Sequence, residues 1–438
     1  MKKIFFKYLI PSVGGMLGVS LYVLGDTMVV GRGIGSVGLA ALNISIPIIN
    51  VFNGLGLLFG VGSATAISIS RGRGDEKQVN NIFTISLMLS ILLGIVLTVL
   101  RVFFLDELCM VLGASKDTFQ MSRDYLGVLM SFSVLFLLNY TLTVLVRNDG
   151  NPNLAMWGML TGSIVNVILD YIFIFIFDLG MKGAAYATSI SPMIGLMILS
   201  VHFIKKKNNM KFIKLKLKFS IIKRITSNGF ASFIVELSAG IVIFIFNKVI
   251  IDLIGDIGVS AYSIIANLSL IATAIFTGIG QAIQPIVSIN FGANKMKRVY
   301  EAGKYAIYTS LIAGVLFYLS GLLFPEFLVS VFSKGDKVLL DITVKGIRIY
   351  FMSFVLMGIN IVITSYLQSK EYARTSMKIS LLRGFVFTVA YVLPLSKIFA
   401  MTGVWMTLPL AELSTVILSI LLFSNSRKII AYSFKKMR

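Results

Sequence analysis

The sequence has very few of the residues that build disulfide frameworks and metal sites. Its 438 residues include one cysteine, Cys109, and one histidine, His202. A single thiol cannot form a disulfide within the chain, and a single histidine argues against a histidine-rich metal site. Charged residues make up only 13% of the chain, whereas 57% of the residues are hydrophobic. Typical soluble domains carry about 25% charged residues, so this composition excludes an ordinary soluble globular protein and indicates an integral membrane protein.

Twelve apolar segments are long enough to cross a hydrocarbon core of about 30 Å, which takes about 20 residues in a helix. The twelve predicted spans lie near 8–31, 38–69, 80–103, 122–146, 153–177, 183–204, 227–254, 258–289, 301–324, 343–367, 376–399 and 402–423. We therefore predict an all-α integral membrane protein with twelve transmembrane helices.

Basic residues are concentrated on one side of the predicted spans. The chain has 40 Lys and Arg against 19 Asp and Glu, a net charge of +21, and 28 of the 40 fall in the two tails and in alternate loops. Because such residues favour the cytoplasmic side, we predict a multi-pass protein of a bacterial-type plasma membrane with both termini in the cytoplasm. In this setting the positive charge orients the helices and does not indicate a nucleic-acid partner.

The two halves of the chain repeat one another. The sequence can be shifted along itself so that the first half lies over the second. One such alignment, which we call the first repeat register, pairs Gly38, Ala41, Gly60 and Gly72 with Gly258, Ala261, Gly280 and Gly292. The second repeat register, displaced by a single further position, pairs Asn139 with Asn360. A repeat of six spans preserves orientation, which predicts two six-helix lobes related by an axis along the membrane normal, with a substrate route between them. We place the lobes at residues 1–204 and 225–438, the second including a basic cytoplasmic tail, and a basic cytoplasmic linker at 205–224 joins them.

Acidic residues near the centre of a span are functional candidates, because inserting a charge there costs roughly 2.5–3.5 kcal/mol. Four qualify: Asp26, Asp170, Glu236 and Glu412. At about 1.5 Å of rise per residue, Asp26, Asp170 and Thr188 reach a similar level in the outer half of the first lobe. Asn166 lies one turn from Asp170 on the same helical face. Such oxygen ligands suit a proton or Na⁺, and no other metal is expected.

Taken in chain order, short stretches of the sequence resemble the multidrug and toxic compound extrusion (MATE) family of transporters. The stretches are Gly25-Asp26-Thr27, Val30-Gly31-Arg32, 147–151 (RNDGN), 169–175 (LDYIFIF), Gly183-Ala184-Ala185, 278–281 (GIGQ), Gln284-Pro285, 290–293 (NFGA), Gly403-Val404-Trp405, Pro409 and Glu412. The resemblance covers about residues 8–423. It implies a fold of two six-helix lobes that exports organic, mainly cationic compounds in exchange for H⁺ or Na⁺.

The first lobe is similar to that of the DNA-damage-inducible (DinF-like) subfamily, which carries a cation site there. The resemblance assigns this site to Asp26, Asn166, Asp170 and Thr188, with Asn139 in the fourth span as a further candidate. It also assigns the helix bend of that subfamily to Pro11. In the second lobe, Glu236 resembles the glutamate of the sodium-coupled branch. The other second-lobe candidates are Glu412, Gln281 and Gln284.

We therefore predict secondary active multidrug efflux by cation-coupled antiport. The expected partners are small organic cations or drugs and membrane lipid, and we expect a monomer with no cofactor besides the coupling ion. The alternative is a flippase for a lipid-linked glycan or cell-wall precursor of the same superfamily. Its large anionic substrate would favour basic residues in the cavity, but the spans offer few candidates for that role, Lys248 and Arg383, against the four acids. An intramembrane enzyme would need clustered catalytic carboxylates or a histidine-rich site, so we predict no enzyme activity.

Overall fold

The computed structural model describes residues 1–214, 216–332 and 337–436, and for 422–436 the backbone alone. Within these ranges the chain is helical and forms no β-strand. The basic side chains predicted in the C-terminal tail lie outside the described residues. The first half comprises α1 (Lys2–Gly33), α2 (Ser36–Gly72), α3 (Glu76–Val111), α4 (Phe119–Ser131), α5 (Ser133–Asn148), α6 (Pro152–Tyr171) and α7 (Gly180–Ile204).

The second half has a similar order of long and short helices, with one additional short helix, α11. It comprises α8 (Phe219–Ile254), α9 (Asp256–Gly292), α10 (Met296–Leu323), α11 (Pro325–Ser330), α12 (Lys337–Tyr350), α13 (Met352–Gln368), α14 (Ala373–Leu381) and α15 (Phe387–Lys436). A five-residue π-helical segment follows α6 at Ile172–Ile176, and a second one joins α14 to α15 at Leu382–Val386.

The helices account for the twelve predicted spans. In the described part of the chain, nine helical segments are long and apolar enough to cross a membrane. Two further spans are bent pairs, α4 with α5 at 57° and α12 with α13 at 43°. The last of the nine segments divides in two at Ala400, whose φ of 49° interrupts the helix. The predicted fold of twelve transmembrane helices is thus confirmed.

The internal repeat extends to the irregular features of the helices. The two bent pairs break at Phe132 and Phe351, which occupy corresponding places in the two halves. The N-caps Asn151 of α6 and Tyr372 of α14 also correspond, in the second repeat register. Each half therefore has one bent span followed by one span that contains a π-helical segment.

The lobes meet through equivalent surfaces. A Cβ atom on Gly72 of α2 would collide with the carbonyl oxygen of Ile289, and one on Gly292 of α9 would collide with that of Ile69. Each of these contacts is the counterpart of the other in the first repeat register, as expected for two surfaces related by a twofold axis. Glycine at both positions lets the two helix backbones approach closely.

Polar contacts between the lobes are concentrated toward one end of the molecule. Gln284 of α9 donates to Thr65 Oγ1 at 3.1 Å and to the Val61 carbonyl at 3.2 Å. Arg224 of α8 donates to Ser70 Oγ at 3.2 Å and to Gln78 Oε1 at 3.0 Å. We call this the closed end. It is the end that the distribution of basic residues predicts to be cytoplasmic.

The connection between the lobes is bound to the first lobe along α3. The backbone N–H of Lys211 donates to Asn80 Oδ1 at 2.8 Å, and that of Ile213 donates to Thr84 Oγ1 at 3.3 Å. The ring of Phe212 packs 4.9 Å from that of Phe83. Helix α8 begins at Phe219, so the last part of the predicted linker is helical and only residues 205–218 form the connection.

Candidate coupling-cation site

Two acidic side chains meet inside the first lobe. Asp26 lies on α1 and Asp170 lies in the last turn of α6; they are 8% and 0% exposed. The two carboxyl groups lie within interaction distance of each other, and the Oδ1 atom of each is buried without a hydrogen-bond partner. Two carboxyl groups in contact form a hydrogen bond only when one of them carries a hydrogen, so the arrangement is suited to holding a proton between α1 and α6.

Asn166 and Thr188 complete the polar contacts around Asp170. With its nitrogen facing the acid, the Asn166 amide donates to Asp170 Oδ2 at 3.2 Å and accepts from the Thr188 N–H at 3.3 Å. Thr188 lies on α7, and its hydroxyl is 3.5 Å from the hydroxyl of Tyr125. The structure thus brings together four of the residues that the sequence singles out.

A small cavity opens beside this cluster, with a volume of about 70 Å³. This volume holds a few water molecules or a partly hydrated ion, since one water needs roughly 10–15 Å³ by the same measure. Its polar lining includes Tyr22, Asn139, Ser163, Asn166 and Thr188. The Oδ1 atom of Asn139 is buried and has no hydrogen-bond partner. Buried amide, hydroxyl and carboxylate oxygens around a small cavity are suited to binding a proton or a hard cation.

The acid pair Asp26 and Asp170 has no fixed positive counter-charge within the part of the chain that the structure describes. Among the described residues, neither Asp26 nor Asp170 takes part in a salt bridge. Buried charges in proteins are normally paired or coordinate an ion. The site can therefore meet its need for positive charge with an ion from solution.

The tyrosines of the site are absent from the sequence-based prediction. Tyr22 lies one turn before Asp26 on α1, and Tyr125 is fully buried on α4 beside Thr188. The spacing of Tyr22 from Asp26 places both on one helical face, which is a signal available in the sequence. Nothing in the sequence pairs Tyr125 with Thr188, since their helices are far apart in the chain.

The second-lobe candidates do not form one site. Glu236 of α8 is partly buried and lies beside Asn53 of α2, at the interface between the lobes. Gln281 and Gln284 of α9 also face the first lobe: Gln281 Nε2 lies 3.5 Å from the sulfur of Met16, and Gln284 belongs to the closed end.

Glu412 is instead enclosed within the second lobe. Its carboxylate accepts hydrogen bonds from Arg383 Nε at 2.8 and 3.0 Å and from Asn360 Nδ2 at 2.6 Å. Glu412 is 1% exposed, so it is the buried partner of an arginine.

Pro11 lies within α1, which runs as one helix from Lys2 to Gly33. The same helix carries Asp26 toward its other end. Between the two, Met16 contacts Gln281, and Ser20 Oγ lies 3.5 Å from the carbonyl oxygen of Leu270. Helix α1 therefore connects the acid pair to the interface with the second lobe.

A second buried polar cluster lies at the closed end of the first lobe. Asp149 binds Arg71 NH1 at 2.8 Å, His202 Nε2 at 2.9 Å and the backbone N–H of Asn209 at 2.8 Å. Burial tends to raise the pKa of Asp149, but these partners outweigh it and hold the pKa below its ordinary value. The cluster joins α2, α7 and the connection between the lobes, and the length of α6 separates Asp149 from Asp170.

Comparison with known proteins assigns the chain to a family of transporters. The family model MatE matches residues 11–172 and 231–393, one stretch in each half. The Multidrug export protein MepA of Staphylococcus saprophyticus subsp. saprophyticus is 26% identical over 376 residues, which cover 85% of this chain and 82% of that protein. MepA of Staphylococcus aureus strain N315 is 27% identical over 387 residues, with the same two coverages.

Solved structures show the same fold. A multidrug resistance MATE family transporter of the MOP superfamily, in an outward-facing conformation, superposes with a TM-score of 0.92 at 24% identity and covers 99% of this chain and 97% of its own. A MOP superfamily transporter from Pyrococcus furiosus, described as having a binding pocket of reverse polarity, superposes with a TM-score of 0.89 at 25% identity, covering 96% of this chain and 94% of its own. Together with the two-lobed helical architecture, the match of the family model to most of the chain shows that this multi-pass membrane protein belongs to the MatE family of multidrug and toxic compound extrusion transporters.

Proposed function

We propose that the protein exports organic, mainly cationic or amphipathic compounds in exchange for H⁺ or Na⁺. The observation that carries the proposal is the Asp26–Asp170 pair, which lies buried beside a polar cavity and outside every salt bridge of the described residues. An exporter that moves substrate against its gradient needs an ion site whose occupancy changes during the cycle. The export role of the MepA relatives supports the choice of drugs as substrates.

Helix α1 offers a route from ion binding to movement of the lobes. It carries Asp26 at one level, and Met16 and Ser20 contact α9 of the second lobe at the next levels along the same helix. A bound ion shifts the balance between inward-facing and outward-facing states only by its difference in affinity for the two. The acid pair supplies this difference when a shift of α1 changes the distance between Asp26 and the oxygens of α6.

The interface between the lobes supports a cationic substrate. Glu236 reaches this interface near the middle of α8 and is partly exposed there. A carboxylate in an apolar passage attracts positively charged compounds. The alternative flippase function needs positive charge for an anionic substrate, but Arg383 is already neutralised by Glu412.

The closed end of the lobes fits the orientation proposed for the chain. Both termini and the basic loops then face the cytoplasm of a bacterial-type cell, and the substrate route is sealed on that side by the contacts of Gln284 and Arg224. We further propose that a single copy, surrounded by membrane lipid, is the working unit, because each chain contains both lobes and the interface between them.

The test is drug efflux from cells that express Asp26→Asn or Asp170→Asn. Each change keeps the size of the side chain and removes its charge, so we expect ethidium or norfloxacin efflux to fall at least about tenfold, within the usual range of coupling free energies. Asp178→Asn is the matched control, because Asp178 is exposed in a loop and has a φ of 51°, a conformation that asparagine tolerates well. Efflux at the wild-type rate from both site variants would overturn the assignment of the site.

A further inference from the structure

The cavity of the first lobe has a counterpart in the second lobe. The second repeat register aligns the fourth and fifth spans with their counterparts in the other half, and the first repeat register aligns the sixth span. Applied to the residues that line the cavity, these alignments identify the corresponding positions in the second lobe. The pairs are Asn139 with Asn360, Gly162 with Arg383, and Pro192 with Glu412. All three first-lobe members line the cavity, so the comparison covers three different helices.

The three second-lobe counterparts contact one another. Arg383 Nε binds both carboxylate oxygens of Glu412, at 2.8 and 3.0 Å, and Asn360 Nδ2 binds one of them at 2.6 Å. Asn360 also donates to the backbone carbonyl of Glu412 at 2.9 Å. Glycine at the position of Arg383 leaves the first-lobe cavity open, and arginine fills its counterpart. The first lobe thus has a cavity at the place where the second lobe holds the guanidinium of Arg383.

The charges of the two lobes differ in the same way. Arginine stays protonated at every physiological pH, so Arg383 gives Glu412 a permanent partner. Removing one member of such a buried pair leaves an uncompensated charge, which is strongly unfavourable. Asp26 and Asp170 have no such partner within the described residues.

We propose that Arg383 acts as a tethered cation that fills the second-lobe counterpart of the cavity beside the coupling site and so confines ion exchange to the first lobe. This inference rests on the proposed cation coupling at Asp26 and Asp170. Arg383 is then a residue that determines how many ions take part in the cycle, and Glu412 is not a coupling residue in the native chain. Without the guanidinium, Glu412 and Asn360 would present oxygen atoms to an enlarged cavity and would take up an ion from solution.

The experiment measures ion binding to purified protein in nanodiscs, by proton uptake in unbuffered titration and by binding of radioactive Na⁺. Arg383→Gln is expected to bind a proton or Na⁺ that the wild type does not bind. The additional binding should disappear in the double variant Arg383→Gln/Glu412→Gln. Arg383→Lys, which keeps a cation in place, should behave as the wild type does.

Folded Arg383→Gln protein that binds no additional ion would overturn the proposal, as would additional binding that persists in the double variant. If Arg383→Gln does not fold, the proposal is tested by measuring transport by the double variant. The double variant is expected to fold because it leaves no buried charge unpaired. It should keep the wild-type dependence of efflux on the ion gradient, and a loss of that dependence would show that Glu412 takes part in coupling. Asp26→Asn in the same binding assay tests the first-lobe site separately: if it binds ions as the wild type does, the proposed function fails, whatever Arg383→Gln shows.

Discussion

At the scale of single residues, the buried acids fall into two groups: those that form a salt bridge and those that do not. Glu412 is bonded to Arg383, and Asp149 is bonded to Arg71 and His202. Asp26 and Asp170 have only each other and neighbouring neutral groups. A paired acid stabilises one arrangement of the helices, whereas an unpaired buried acid responds to the supply of ions. The proposed function therefore gives a structural role to the first group and a coupling role to the second.

Asp149 gives a prediction about stability. Asp149→Asn should lower the free energy of unfolding by about 3 kcal/mol, because Arg71 and His202 lose their buried partner. The folded state lowers the pKa of Asp149, so its contribution is fully present above the ordinary aspartate pKa of about 4 and is lost as the pH falls through the lower folded value.

Thermal unfolding in detergent, measured against pH, checks this prediction. The gap in melting temperature between wild type and Asp149→Asn should be constant near neutral pH and should narrow below about pH 4. The exposed Asp178→Asn serves as the control and should melt as the wild type does. A gap that stays the same down to pH 2 would contradict the role given to the charge of Asp149.

The sequence predicted part of the site at this scale. The rise of a helix is fixed, so counting residues from the helix ends brought Asp26, Asp170 and Thr188 to a common level, and the structure places them together. Depth alone does not say which faces of different helices meet. For this reason the hydrogen bond of Tyr125 to Thr188 and the pairing of Glu412 with Arg383 were not predicted. Each depends on how two distant spans are rotated against each other.

At the scale of helices, the N-terminal part of α8 is a bridge between the lobes at the closed end. Arg224 binds Ser70 and Gln78 of the first lobe and, through its Nε at 2.6 Å, Glu371 of the second. Asn228 also donates to Glu371, at 2.8 Å. Charge-assisted hydrogen bonds of this kind are stronger than neutral ones. The bridge must break when the lobes separate on this side.

Arg224→Ala is therefore expected to favour the state that is open at this end, by about 1–3 kcal/mol. Spin labels on Lys77 and Lys297, exposed residues at equivalent places of the two lobes, measure the separation. The background is Cys109→Ser, so that no native thiol competes for the label. We expect the population of long distances to grow in Arg224→Ala, but to stay as in the wild type in Lys223→Ala, which changes the exposed neighbour. An unchanged distribution in Arg224→Ala would show that the bridge does not hold the lobes.

Helix boundaries were predictable where apolar runs end, but helix irregularities were not. The fourth and tenth predicted spans are each bent, at Phe132 and Phe351. The π-helical segments after Asp170 and around Arg383 also lie inside predicted spans, 153–177 and 376–399. Such bends and π-turns depend on packing against neighbouring helices, which a hydropathy pattern does not contain.

At the scale of the whole molecule, the orientation in the membrane is a prediction that topology reporters can check. Alkaline phosphatase, which is active only after export, should be inactive when fused after Asn208 in the connection between the lobes. It should be active when fused after Lys116 in the loop between α3 and α4. The physical reason is the retention of the basic loops and tails on the cytoplasmic side. The reverse pattern of activities would place the closed end outside the cell.

The duplicated architecture explains how one fold holds an exchangeable site and a fixed one. Two copies of a six-helix unit meet through equivalent glycine contacts at Gly72 and Gly292, so the lobes can move as similar bodies. The first lobe keeps an open cavity beside two acids, and the second fills the same place with Arg383.

The measurement that tests the central claim most directly is substrate transport by purified protein in liposomes, with a proton gradient and a sodium gradient imposed separately. The account predicts that at least one gradient drives transport by the wild type and by Asp178→Asn. Neither gradient should drive transport by Asp26→Asn or Asp170→Asn, although both variants should still bind substrate. Gradient-driven transport at the wild-type rate by the double variant Asp26→Asn/Asp170→Asn would contradict the account.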